Sequence, residues 1–563
     1  MLKQLADLLS LTLLLIGLSA AAAAAGSERP NVLLICVDDL KPNIGCFGDA
    51  IAVTPNIDKL AQHGVRFDAA YCNQAVCSPS RNSLMTGLRP QTIGVYDLPT
   101  HFRFAAPDVV TFSQYFKNAG YHSAGLGKIY HVGHGNIDDA QSWSEPSWRP
   151  KAPSYVLPES VAGIKPDSSG KKRGPATEAA DVSDDTYSDG QIADEAVKRL
   201  KAAAAAQQPF FLAVGFLKPH LPFVAPTKYW NLYDHATLPL PEVKDAPRDA
   251  PAYAGTSGGE LRNYSDMNKK GAIDDKTTRH LIHGYYAATS YADAQIGKVL
   301  NAVDELKLTG NTIIVLWGDH GWHLGDHGMW CKHTNYQQAA RIPVIIAAPH
   351  GARGAASAAM IETVDIYPTI AELAGLAAPA NLDGKSFAAS VKDTSIAARK
   401  FVTHVYPRSG KLGRAIRNER YRLVEWNDIG AADSEAEFEL YDYNEDPLET
   451  KNIAAGHPEL VAEIRSKLAE QPAAKPQWKK PSAKNSKAES AKPKSGKSKL
   501  DRSAMFKKRD TDGDGHLSKD EFLLKQPDPD EAPKRFLRFD KNGDGRLSHD
   551  EYVNSSKQAS ANE

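Results

Sequence analysis

The chain has 563 residues, with 67 Lys plus Arg against 68 Asp plus Glu and a formal net charge of −1. Near-neutrality excludes a globally basic nucleic-acid binder and an acidic, self-repelling coil. A hydrophobic content of 42% and a charged content of 24% are those of globular proteins, and five cysteines cannot form a dense disulfide scaffold.

At the N-terminus, Lys3 precedes an apolar run over 8–18, and small residues over 19–25 lead to Gly26. This is the order of a secretory signal peptide, and the run is too short to span a bilayer. Residues 1–25 are expected to be removed. The mature chain is then secreted, periplasmic or at the cell surface, with no transmembrane helix.

From Asn31 onward the pattern is α/β. Val32-Leu33-Leu34-Ile35-Cys36-Val37, Phe210-Phe211-Leu212-Ala213-Val214, Thr312-Ile313-Ile314-Val315-Leu316-Trp317 and Val344-Ile345-Ile346-Ala347 read as buried strands of a mostly parallel sheet. Helices are expected over 189–205 and 285–306. Strands alternating with helices place ligands beyond the carboxyl ends of the strands. Two strands end there in Asp38-Asp39 and Asp319-His320. Residues 151–185 and 239–265 read as long surface loops that shape a binding site. From about Phe401 the pattern changes to strands of a smaller antiparallel sheet, at 420–426 and 438–442. Residues 26–395 are therefore expected to form a catalytic subdomain, and 396–470 a second one.

Residues 471–500 carry nine lysines and one glutamate among Ala, Pro and Ser, the composition of a flexible spacer. An EF-hand pair is expected over 501–556. Two twelve-residue loops start at Asp510 and Asp540, with oxygen-bearing side chains at positions 1, 3, 5, 9 and 12 and glycine at position 6. The first ligand set is Asp510, Asp512, Asp514, Ser518 and Glu521, with His516 at the backbone-carbonyl position. The second is Asp540, Asn542, Asp544, Ser548 and Glu551, with Arg546 at the equivalent place. Calcium is the expected ion, in a small calcium-stabilised domain whose own partner stays open.

The sharpest motif is Cys77-Ser78-Pro79-Ser80-Arg81. Pro79 sits where a helix starts, so Cys77 is expected at a helix N-terminus with Arg81 one turn along. Read from the residues alone, this is an activated thiol beside a cation. The motif also resembles the signature of type I sulfatases, in which the cysteine becomes formylglycine. Other segments resemble that family in the same order: Asn31 to Leu40 with Asp38 and Asp39, Thr54-Pro55-Asn56, Gly127-Lys128-Ile129-Tyr130-His131, Lys218-Pro219-His220, Gly318-Asp319-His320-Gly321, and Glu439-Leu440-Tyr441-Asp442. The Asp-His pair, the Lys128–His131 spacing and Lys332 thirteen residues after Asp319 look most like the iduronate-2-sulfatase branch and its bacterial relatives. Trp322 and His323 depart from that branch where substrate contacts are expected, and the segment from Gly133 to Asp185 is not a recognisable match.

The resemblance implies an alkaline phosphatase-like α/β fold: a large, mostly parallel sheet flanked by helices, a smaller antiparallel sheet, and here an α-helical EF-hand tail. It implies a sulfuric ester hydrolase acting on a sulfated carbohydrate, matured by a formylglycine-generating or equivalent enzyme. Calcium would be held by Asp38, Asp39, Asp319, His320 and the Cys77-derived residue. Arg81 and Lys128 would hold the aldehyde hydrate, His131 would accept its proton, and His220 with Lys332 would meet the ester bridge oxygen. His323, His327 and His333 are weaker site candidates. Cys36 is expected to be a buried thiol, and Cys72 can approach Cys331. Two other readings are a phosphatase or phosphonate hydrolase of the same superfamily, and a calcium-dependent binding protein with an inactive sulfatase-like domain.

Overall fold

The computed structural model describes residues 29–554 apart from 132–137, 168, 207, 378, 430, 432–434, 481–501 and 524–531. The expected signal peptide and most of the lysine-rich spacer lie outside the described residues.

The apolar runs form the centre of a seven-stranded sheet. In chain order its strands are β1 (Asn31–Val37), β2 (Val65–Phe67), β3 (His122–Gly127), β4 (Phe210–Phe216), β5 (Thr312–Gly318), β6 (Val344–Ala347) and β7 (Ala355–Ser357). Across the sheet the order is β7-β2-β6-β5-β1-β4-β3. Strand β1 is buried along its whole length because the sheet is covered on both faces. Val32, Leu34 and Cys36 enter one core, and Leu33, Ile35 and Val37 enter the other.

Most neighbouring strands are parallel: β3 with β4, β4 with β1, β1 with β5, and β2 with β7. Strand β6 is buried as expected but runs antiparallel to β5 and β2, so the sheet is mixed. A parallel return needs a crossover, usually a helix. Between β5 and β6 the chain makes only a small antiparallel pair, the 3-10 turn Asp326–Gly328 within it, and the one-turn helix Gln337–Ala340.

Three helices position the site: α1 (Cys77–Thr86), α2 (Ser188–Ala206) and α3 (Asp275–Glu305). Helix α1 packs Leu84 and Met85 into one core, while α2 and α3 cover the opposite face through Ile192, Leu200, Ile296 and Val299. Helix α3 starts ten residues before its expected position. Its opening turns look polar in sequence, but Asp274 caps them by accepting from Thr277 N at 2.8 Å. Leu281 and Ile282 then enter a separate aromatic cluster.

The second sheet has four antiparallel strands, β8 (Val402–Arg408), β9 (Lys411–Arg417), β10 (Tyr421–Asn427) and β11 (Glu437–Asp442). The helix Pro458–Ala469 covers it with Val461, Ile464 and Leu468. The start of the lysine-rich stretch is anchored rather than loose. Trp478 stacks on Phe104 at 5.2 Å, and its backbone N–H donates to Gly94 O at 2.6 Å.

Residues 502–523 and 532–554 belong to a second compact unit. Two helix–loop–helix segments are joined by a short strand pair, Leu517 opposite Leu547. Phe506, Phe522, Phe536 and Tyr552 form its core. No helix among the described residues is long and apolar enough to cross a membrane.

Candidate active site

Strands β1 and β5 pair in register, Val37 opposite Gly318. That register delivers Asp38-Asp39 and Asp319-His320 side by side at the carboxyl edge of the sheet. The four side chains are at most 1% exposed. Asp39 adopts φ 60°, a left-handed conformation uncommon outside glycine. It is held there by its N–H donating to Asp319 Oδ1 at 2.9 Å and by the Tyr285 hydroxyl donating to its carbonyl at 2.8 Å.

Helix α1 brings Cys77 to this edge. Its Sγ lies 3.4 Å from His320 Nε2. His320 Nδ1 is 3.0 Å from Gly321 O, a contact that orients the ring with Nε2 toward Cys77 and toward Asp39 Oδ1, 3.3 Å away. The thiol is not the activated nucleophile suggested by the motif alone. Burial pushes its pKa up, and the opposing effects of Lys128 and Lys332 do not reverse that shift.

The cations are tightly engaged. Arg81 is fully buried and donates from Nε to Asp319 Oδ2 and from Nη2 to Asp38 Oδ1, each at 3.0 Å. Its Nη1 reaches the carbonyls of Lys128 and Ile129. Lys128 pairs with Asp38. Lys332 lies 3.1 Å from Asp39 Oδ1, with the Trp322 ring 4.9 Å away. Burial costs the Asp38 carboxylate, but Lys128, His220 and Arg81 hold it well below the usual range. Asp319 is pushed up by burial, to which Asp38 and Asp39 add repulsion.

Asp38, Cys77, Lys128 and Lys332 line a cavity of about 720 Å³, together with His131 and His220. Arg81 and Asp319 stand behind this lining. The cavity therefore gathers Cys77, Asp38, Lys128, His131, His220 and Lys332 from five separate stretches of chain.

Sequence reasoning missed Glu260. Its Oε1 is 3.1 Å from His220 Nε2, and its Oε2 is 2.9 Å from Lys332 Nζ. His220 Nδ1 meets Leu221 O at 2.5 Å, so both ring nitrogens face acceptors, an arrangement that only the doubly protonated ring satisfies. Burial opposes that charge, but Asp39 and Asp38 help carry the His220 pKa to about 10. Asp189, at the start of α2, was also missed. It accepts from Leu217 N and Lys218 N at 2.9 Å each, fixing the loop that bears His220. Neither acid belongs to a motif. The one hint was that Glu260 falls within the expected site-shaping loop over 239–265.

Trp322 and His323 were expected near substrate, but both are fully buried. Trp322 supports Lys332, while His323 bonds Asp326 and Thr334 Oγ1. His327 is buried against Asp245 O, 3.2 Å away, whereas His333 lines the cavity. All five cysteines are free, so no disulfide joins Cys72 to Cys331. Cys36 is a buried thiol pushed up to about 12 by burial.

The acid cluster fits a hard divalent cation. Three buried carboxylates converge, burial keeps the Asp319 carboxyl raised despite its Arg81 partner, and ligand atoms of Asp39, Cys77, Asp319 and His320 lie within 4.8 Å of one another. In the C-terminal unit, oxygens of Asp510, Asp512 and Glu521 also lie within 4.8 Å. Asp510 Oδ1 is buried without a hydrogen-bond partner, as suits a ligand oxygen. Gly515 and Gly545, at position 6 of the two loops, take φ 82° and 80°. Ser518 and Ser548 hydroxyls donate at 2.8 Å to Glu521 and Glu551 respectively.

The family profile described as Sulfatase matches residues 30–376. That described as N-sulphoglucosamine sulphohydrolase, C-terminal, matches 325–474, and the EF hand profile matches 503–524 and 534–554. Iduronate 2-sulfatase of Mus musculus is 35% identical over 403 residues, covering 66% of this chain and 73% of that protein. The Homo sapiens enzyme is 34% identical over 412 residues, covering 66% and 75%. Among solved structures, the phosphonate monoester hydrolase SpPMH from Silicibacter pomeroyi superposes with a TM-score of 0.63 at 23% identity, covering 78% of this chain and 94% of that one. At that identity the likeness speaks for the fold alone. With the profile spanning most of the chain and iduronate 2-sulfatases among its relatives, the chain belongs to the sulfatase family and is a sulfuric ester hydrolase.

Proposed function

We propose that this sulfatase is an exported enzyme that hydrolyses a sulfate ester of a carbohydrate, a sulfated uronic acid or related sugar of a sulfated polysaccharide. The observation that carries the reading is the placement of Cys77 between a buried carboxylate cluster and Lys128, Lys332 and His220. The cavity is in the range that holds a whole small ligand rather than one sulfate group. Similarity to the two iduronate 2-sulfatases supports the uronic acid.

Cys77 is read as the site of formylglycine, made by a dedicated maturation enzyme; its hydrate supplies the nucleophilic hydroxyl. Asp38, Asp39, Asp319 and His320, with the residue at 77, would hold calcium, whose Lewis acidity lowers that hydroxyl's pKa and neutralises sulfate charge. Calcium is also the proposed ion of the EF-hand loops.

The remaining chemistry belongs to this chain's side chains. Lys128 and Lys332 place two ammonium groups on the cavity wall for the sulfate oxygens. His131, which lines the same cavity as Cys77, would take a proton at the nucleophile. His220, held as an imidazolium, donates a proton from Nε2 to the leaving sugar oxygen. Arg81 acts from behind, fixing Asp38 and Asp319.

The test is sulfate release by the purified protein from a panel of defined sulfated oligosaccharides, with Cys77→Ala in parallel and mass spectrometry of the Cys77 peptide. Release from a uronate 2-sulfate that vanishes in the variant supports the reading. Undiminished release by Cys77→Ala overturns the formylglycine mechanism. Faster hydrolysis of aryl phosphates than aryl sulfates favours the phosphatase alternative, and an unmodified thiol in native protein favours the binding-protein one.

A further inference from the structure

The catalytic cavity extends beyond the groups needed for a sulfate ester. Its outer wall includes Lys171 and Arg173 from the hairpin Lys165–Pro166/Lys172–Arg173. This hairpin lies in the segment that resembles nothing recognisable in the family.

Arg173 is held by side chains on two sides. Its guanidinium sits over the Tyr264 ring at 5.3 Å, and Nη1 donates to the Tyr264 hydroxyl at 3.3 Å. Tyr264 itself is 1% exposed, so the platform is part of the core. Asp167 steadies the other edge, 3.5 Å from Nε. The same Asp167 builds the hairpin turn, accepting from Ser169 N at 2.8 Å and Lys171 N at 3.1 Å. Nη2 has no hydrogen-bond partner among the described residues. A stacked, planar guanidinium with a free edge loses little entropy on binding an oxyanion. The platform is also coupled to the reacting end. Tyr264 follows Glu260 by four residues, and Glu260 contacts both His220 and Lys332.

We propose that Arg173 is a specificity-determining residue that binds a second anionic group of the glycan, a carboxylate or a further sulfate, away from the ester being cleaved. The proposal rests on the carbohydrate sulfatase reading above. It explains why the cavity lining carries a further cation that the hydrolysis itself does not require.

The experiment compares wild type, Arg173→Met and Arg173→Lys on four substrates. These are a uronate-containing O-sulfated disaccharide, its carboxyl-reduced counterpart, a disulfated disaccharide, and 4-nitrophenyl sulfate as reference. The readout is the ratio of kcat/KM with the second anion to kcat/KM without it. In Arg173→Met this ratio is expected to fall about ten-fold or more, through KM, as for loss of a charge-assisted contact. Arg173→Lys should recover only part of it. Loss confined to the carboxylate pair identifies the uronate as the anion, and loss confined to the disulfated substrate identifies the second sulfate. A ratio that stays constant in both variants overturns the proposal. Because each ratio is taken within one protein preparation, partial misfolding cancels. Failure of wild type on every saccharide, with turnover of 4-nitrophenyl sulfate, would instead overturn the carbohydrate reading and this proposal with it.

Discussion

Glu260→Gln is the most informative single change. Two donors, His220 Nε2 and Lys332 Nζ, converge on the Glu260 carboxylate at 3.1 and 2.9 Å. A glutamine offers one acceptor oxygen, so one donor keeps its partner and the other faces an N–H. Charge-assisted hydrogen bonds contribute about 1.5–3 kcal/mol each. Losing one from the transition-state arrangement corresponds to about a 10- to 150-fold fall in rate. The loss should depend on the leaving group. A sugar hydroxylate needs a proton from His220, whereas 4-nitrophenolate leaves well without one. The assay is kcat for a sugar sulfate and for 4-nitrophenyl sulfate in wild type and variant. The sugar sulfate should slow by a factor within the stated range, and the aryl sulfate by much less. Equal losses on both substrates would make Glu260 a purely structural group. A faster variant would refute the reasoning differently, by showing that the carboxylate competes with substrate for the two donors.

Two further predictions concern stability. Arg81→Met removes the shared partner of Asp38 and Asp319, both at 3.0 Å and all three side chains at most 1% exposed; breaking such a buried pair costs roughly 3–5 kcal/mol, read as a lowered urea midpoint, and Arg81→Lys should restore only part because lysine lacks the fork. His404 is buried, bonded through Nδ1 to Asn335 Oδ1 at 2.8 Å, and burial with the neighbouring Arg422 pushes its pKa down to about 3. Between the unfolded value near 6.5 and about 3, the unfolded chain binds a proton that the folded chain refuses, so stability is lost as pH falls, by about 1.4 kcal/mol per unit. His404→Gln should reduce the stability lost between pH 6.5 and 5 by about 1.6 kcal/mol; parallel slopes for the two proteins would show that His404 titrates normally.

Much of the site was legible because its chemistry is written in contiguous stretches. Asp38-Asp39 and Asp319-His320 each close an apolar run, and a buried strand has only one place to end. Cys77 to Arg81 fits a single helical turn, and the structure starts α1 at Cys77. The EF-hand loops are legible for the same reason, since a twelve-residue loop contains all its own ligands. Trp322 and His323 were misplaced because proximity along the chain to Asp319 does not determine which way a side chain faces. Both point into the core, where Trp322 backs Lys332.

Strand polarity was another property that residue pattern could not settle. A fully buried strand is apolar whichever way it runs, so Val344–Ala347 looked like its parallel neighbours while pairing antiparallel. Glu260, Asp189 and Arg173 were invisible for a related reason. Each sits in or beside a long loop of ordinary composition, and each matters only through partners far away in sequence: Lys332, Leu217 and Tyr264 respectively.

By itself, the sequence determined the class of chemistry, the family resemblance and which residues are proposed for the reacting end, because local motifs demand those residue types at short spacing. Only the tertiary structure decided the register that sets the two acid pairs side by side, the carboxylate joining His220 to Lys332, and the cation facing the outer cavity. Those arrangements are long-range contacts, set by how the whole chain packs, and no short window of residues encodes them.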